Sequence, residues 1–164
     1  MLESLFLLSL LPTWGTTVSS RSVEAPKIHV VDSGIGAHLL RLSRTKLERG
    51  DPSSLTEFGH LVESFVVQEI IRQTSWMNDV VTAGHWRTRD GDEVDLVLER
   101  QDGAVLAFAI KAGDHIDSRQ LSGLRKLHAR LGDAFISGIA FHLGSRGYPV
   151  EDRIHVLPVE RLWV

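Results

Sequence analysis

EVDLVLERQDGAVLAFAIK, residues 93–111, is the stretch whose reading decides the fold. From Glu93 to Glu99 apolar and acidic residues alternate, which is the pattern of a half-buried strand. From Val105 to Lys111 nearly every residue is apolar, which is the pattern of a central strand. Alternation puts Glu93, Asp95, Val97 and Glu99 on one face and Ala107, Ala109 and Lys111 on one face. The turn decides whether those faces coincide. A three-residue loop, Gln101-Asp102-Gly103, puts glycine at the left-handed position and pairs Arg100 with Ala104. Asp95 then stands opposite Ala109, and Glu93 opposite Lys111. A two-residue loop, Asp102-Gly103, puts Asp95 opposite Ile110 instead. A slip of one residue turns every side chain to the other face, so register decides the chemistry.

Working outward, Val81 to Arg87 reads as a strand, joined to Glu93–Glu99 through the hairpin signal Asp90-Gly91. Before it, Ser54-Leu-Thr-Glu57 has capping-box spacing and opens a helix over about Leu55 to Gln73. Phe58, Leu61, Val62, Phe65, Val66 and Ile70 form its inner face. After the hairpin a second helix runs from about Ser118 to Leu131, with an inner stripe of Leu121, Leu124, Leu127 and Leu131. Strands Phe135 to His142 and Ile154 to Leu157 follow. The order α-β-β-β-α-β-β predicts an α/β (α+β) domain with a mixed central sheet.

Residues 1–50 read as an N-terminal subregion preceding a main unit of residues 51–164. The subregion contains an apolar run (5–11), a polar turn-rich segment (Pro12 to Ser22) and a strand from Lys27 to Val31. A short helix, Ile35 to Leu42, is capped by Asp32 or Ser33. SRTKLERGDPSS, residues 43–54, reads as a linker. The apolar run is too short to span a bilayer and no Lys or Arg precedes it, so a core strand or helix end is expected there, not a secretory signal.

The chain has 164 residues, enough for a domain with a sizeable core, and 43% of them are apolar. A net charge of −3 provides no global basic field, so nucleic-acid binding would rest on a local patch. Arg119, Arg125 and Lys126 on the second helix are the candidates for it. With no cysteine, disulfides and cysteine–zinc sites are excluded, and a reducing cytoplasmic setting fits. The eight histidines show no HExxH spacing, and no G-x-x-x-x-G-K-[ST] phosphate loop occurs.

In the three-residue register, carboxylates and a lysine meet on one patch of sheet. Mg²⁺ or Mn²⁺ takes oxygen ligands and keeps several waters. Asp95 would bind it directly, the Ile110 carbonyl would add an oxygen, and Glu63 on the long helix would close the site. Lys111 would orient the metal-bound water or stabilise charge on a phosphate. Position 109 is where a second strand carboxylate would belong, and alanine stands there. The bland alternative is a plain Asp95–Lys111 ion pair, with Glu63 a solvated helix residue.

EVDLVLE followed by FAIKAG resembles the Asp…(Asp/Glu)-x-Lys signature of the PD-(D/E)XK nuclease superfamily, with HLVESFVVQEI supplying the helix glutamate. PKIHVVDSGIGAHLL, FGHLVESFV, HWRTRDGDEVDLVLE and IKAG, in that order, resemble the C-terminal domain of unknown function of bacterial and archaeal AAA-type ATPases. The resemblance covers nearly the whole chain. It implies a restriction-endonuclease-like core, metal-dependent action on DNA, and an ATPase domain as a partner. Carried over, the site is Glu63, Asp95 and Lys111, with Ala109 where the pattern has glutamate. That departure implies weak or absent catalysis. The alternative function is a non-catalytic module that binds DNA or docks an ATPase.

Overall fold

The structure is a computed structural model that describes residues 7–15 and 25–163. Leu5, Phe6 and most of the polar segment before Lys27 lie outside the described residues. Strand β1 (Leu8–Leu11) pairs antiparallel with β2 (Lys27–Val30) in a small sheet. Helices α1 (Ser33–Leu39), α2 (Arg44–Glu48) and α3 (Pro52–Thr74) follow. Strands β3 (Val81–Arg87), β4 (Glu93–Arg100) and β5 (Val105–Ile110) form a meander. Next come a 3₁₀ turn (Ser118–Leu121), α4 (Ser122–Leu131), β6 (Phe135–His142), β7 (Tyr148–Glu151) and β8 (Ile154–Pro158). The central sheet has strand order β3-β4-β5-β6-β8-β7. β5, β6 and β8 run parallel and the other pairs antiparallel, so the sheet is mixed, as expected.

The sheet carries an apolar layer on each face. One layer joins Leu96, Leu98, Phe108, Ile110 and Phe141 to Val62, Val66, Val67 and Ile70 of α3. The other joins Val94, Val97, Ala107, Ala109 and Ala140 to Leu121 of the 3₁₀ turn and to Leu124 and Leu127 of α4. β2 and α1 cover part of α3, which explains why Ser64 and Gln68 are buried beside its apolar stripe.

Three local expectations are corrected. α3 begins at Pro52, because Asp51 rather than Ser54 caps it, accepting from the Ser54 N–H at 3.3 Å. Proline with its fixed φ is well suited to a first helical turn. The linker-like stretch contains α2, capped by Ser43. β7, an exposed edge strand containing Pro149, has no apolar alternation and was not anticipated.

Candidate functional site

The β4–β5 tip is the three-residue form. The Arg100 N–H donates to the Ala104 carbonyl at 2.9 Å, and Gly103 has φ 84°. Pairing runs from Glu99–Val105 to Leu96–Phe108. There the ladder gives way to a side-chain bond: the Ile110 N–H donates to Asp95 Oδ2 at 2.8 Å. The next amide, Lys111 N–H, donates to the Phe141 carbonyl of β6 at 2.9 Å.

Strict alternation fails just at the aspartate. β3 and β4 pair Gly84 with Val97 but Trp86 with Val94, leaving Asp95 and Leu96 opposite His85 alone. This is a β-bulge, a device that re-aims side chains. Val94 and Val97 consequently both pack in the α4-side layer, while Leu96 and Leu98 pack in the α3-side layer. Asp95 does not share a face with Val97, contrary to expectation. It reaches β2 and, through it, α3.

At 1% exposure, Asp95 is among the most buried side chains of the chain. The Lys27 ammonium donates to its Oδ1 at 2.9 Å and to Glu63 Oε1 at 2.8 Å. Lys111 Nζ stands 3.6 Å from Oδ2. Glu63, Asp95 and Lys111 are thus brought together, and a lysine that sequence reasoning passed over lies between the carboxylates. Its signal was faint, one cation opening a four-residue strand, KIHV. Ala109 does not face an open slot. It is 2% exposed and packs with Ala107, Ala140 and Leu121 in the α4-side layer.

The charges balance, two carboxylates against two ammonium groups. Burial pushes the Asp95 carboxyl up, but Lys111, Lys27 and the Ile110 N–H outweigh it and hold the group below the usual range. Burial, with the Asp95 charge adding to it, pushes Glu63 up against the pull of Lys27. Burial disfavours the Lys27 ammonium, yet Asp95 and Glu63 more than offset this and raise its pKa. Beside it on β2, His29 is 2% exposed with Nδ1 3.1 Å from Ser64 Oγ. Burial, reinforced by Lys27, pushes its pKa down to about 4. A polar cleft of about 340 Å³, lined among others by Lys27, His60, Glu63, Arg87 and Glu93, opens over the cluster.

Two of the candidate nucleic-acid contacts are engaged within the chain. Arg125 donates to Glu151 Oε1 at 2.5 Å, and Lys126 pairs with Asp92. Arg119 is exposed. Among the described residues no group of three or more His, Cys, Asp or Glu side chains is arranged to hold a metal. Glu63 and Asp95 offer two oxygens of the kind Mg²⁺ or Mn²⁺ takes. The Lys27 ammonium already bonds to both carboxylates, and Ile110 presents its N–H to Asp95, so a divalent cation does not fit the site as it stands.

On the other side of α3 lies an apolar groove of about 490 Å³, lined by Ala37, Leu42, Leu47, Phe58, Leu61 and Phe65 among others. Among the described residues no helix is long and apolar enough to cross a membrane.

An α-β-β-β-α order around a mixed central sheet makes this an α+β domain. Residues 58–162 match a family described as a domain of unknown function, DUF4143, and the chain belongs to that family. Residues 1–46 match a second family, DUF8612, also a domain of unknown function. No curated protein and no solved structure matches the chain.

Proposed function

We propose that this domain has a nuclease-like core that serves for binding rather than for phosphodiester hydrolysis, and that its partner is an AAA-type ATPase domain. The observation that carries the reading is the Lys27 ammonium between Glu63 and Asp95, with an apolar-packed Ala109 where a second strand acid would belong. Hydrolysis at such a site needs a metal to polarise phosphate and water, and an ammonium supplies neither an open coordination position nor an activated water. The ATPase partner follows from the resemblance to domains joined to such ATPases. The exposed apolar groove beside α3 is consistent with a protein contact. The internal pairing of Arg125 and Lys126 leaves less free charge for phosphate backbones.

The test has two arms. The chain incubated with duplex, branched and single-stranded DNA plus Mg²⁺ or Mn²⁺ should cleave no more than its Asp95→Ala variant. Titration against the ATPase domain of a protein that carries this family domain should give saturable binding that Leu47→Asp, in the lining of the groove, weakens. Metal-dependent cleavage by the unaltered chain would overturn the first part, and absence of ATPase binding the second.

A second reading, slow metal-dependent cleavage of DNA, is favoured by the proximity of Lys111 to Asp95. On that reading Ala109→Glu should restore activity. On ours it places a carboxylate in the apolar layer and destabilises the fold by about 3 kcal/mol or more without producing cleavage. Thermal denaturation and a DNA assay on the same preparation separate the two.

A further inference from the structure

The apolar groove beside α3 has walls of unlike charge. Leu42, Arg44 and Leu47 line one side, in the stretch RLSRTKLER, residues 41–49, which sets four cations against a single acid. The whole chain carries −3, so this basic stretch runs against its overall sign. Its one acid, Glu48, is taken by Arg44 at 2.7 Å. Arg41, Lys46 and Arg49 are exposed and make no ion pair among the described residues. On the opposite wall, Phe58 of the lining is preceded along α3 by Glu57.

Backbone geometry singles out Arg41, at the junction of α1 and α2. Its φ is 52°, in the left-handed region that strains a side chain and usually falls to glycine after a helix. The chain follows that rule elsewhere, with Gly50 at φ 67° after α2 and Gly132 at φ 55° after α4. Arg153, the other non-glycine residue described there, has φ 58° and is tied down by its own side chain, which donates to the Phe135 carbonyl at 2.9 Å. The Arg41 side chain makes no such bond among the described residues. An arginine kept where glycine is easier, with no contact inside the chain to hold it, has its use outside the chain.

We propose that the groove receives an amphipathic helix of the partner ATPase domain, its apolar stripe on Leu47, Phe58 and Phe65 and an acidic edge against Arg41 and the cations of α2. An apolar groove between helices takes such a helix through anchors one turn apart. Charge at the rim adds specificity and speeds encounter more than it adds affinity. Because the walls differ in sign, a helix with one acidic edge is favoured one way round and opposed the other, where its acids would meet Glu57. The inference rests on the ATPase-docking reading and adds what the partner must present.

The probe is the ATPase domain of a protein that carries this family domain, titrated against the full chain by calorimetry at low and at high salt. Binding should weaken as salt rises. Arg41→Gly removes the backbone strain, so its thermal midpoint should equal or exceed that of the unaltered chain while its binding falls about threefold. Arg41→Glu combined with Lys46→Glu and Arg49→Glu should weaken binding about tenfold or more and lose most of the salt dependence. If that triple variant does not fold, Arg41→Gly alone decides. On binding, hydrogen exchange should slow in a helix of the ATPase domain that bears Asp or Glu along one side of an apolar stripe. Binding that Leu47→Asp weakens but that neither salt nor these variants change overturns the inference and leaves ATPase docking standing. Protection confined to a loop or strand of the partner does the same. No binding at all overturns the docking reading and this inference with it.

Discussion

A lysine shared by two carboxylates is a costly arrangement to disturb. With Lys27 gone, Glu63 and the almost fully buried Asp95 face each other, and Lys111, 3.6 Å from Asp95, is the ammonium that remains paired with it. Removing one member of such a buried group typically costs about 3–5 kcal/mol. We expect Lys27→Met to lose about that much in urea unfolding at pH 7; a loss under about 1 kcal/mol would mean that the ammonium is effectively solvated. His29 makes a second prediction. Its pKa falls from 6.5 to about 4 on folding, so the unfolded chain binds the extra proton first. Stability should therefore decline as pH drops from about 6.5 toward about 4, by on the order of 2–3 kcal/mol. His29→Asn should flatten the slope in that window. Asp95 adds a fall at lower pH, since its depressed pKa contributes stability that disappears only as the carboxylate is protonated. Of this cluster, Asp95 was legible in sequence as a strand-centre carboxylate in need of partners. Lys27 was not, because the contact joins residues 68 apart that no local pattern relates.

At the scale of elements, the approach of α4 to β4 is set by one small residue. A Cβ at Gly123 would lie 2.0 Å from the Glu93 carbonyl oxygen, a backbone atom that cannot swing aside. Gly123→Ala should thus push the helix off the sheet and destabilise by about 1–3 kcal/mol or more, despite the better helix propensity of alanine. A chemical melt with an unchanged or raised midpoint would contradict this close approach. The β4 bulge acts at the same scale. Hydrophobic alternation located β4 to within a residue, and Gly103 marked the turn while leaving a two- or a three-residue tip open. Neither revealed the extra residue opposite His85, because a bulge is set by how two strands twist against each other rather than by the composition of one. The expected juxtaposition of Asp95 and Ala109 fails for that reason. α2 was missed because five residues between two capping signals carry too little periodicity to register.

Across the whole molecule, stability should be uneven. The central strands β4, β5 and β6 are packed on both faces, whereas Ile28 and Leu10 of the small sheet are 63% and 41% exposed. The small sheet is tied to the rest by the Lys27 bonds, the His29–Ser64 contact and backbone bonds of Pro12 and Trp14 with His85. Amides of β2 should exchange with solvent well before those of β5, through a local opening that leaves the main sheet intact. Lys27→Met should widen the gap. Equal protection in β2 and β5 would show that both sheets open only together.

By itself the sequence determined most of the strands and helices and the class of fold, and narrowed the β4–β5 hairpin to two registers, since these follow from local periodicity and turn chemistry. Tertiary structure alone decided what lies between Glu63 and Asp95 and which way the aspartate points. Both depend on a strand from one end of the chain crossing a helix to meet a bulge, and the physics of that meeting, burial and charge balance, has no expression in any short window of residues.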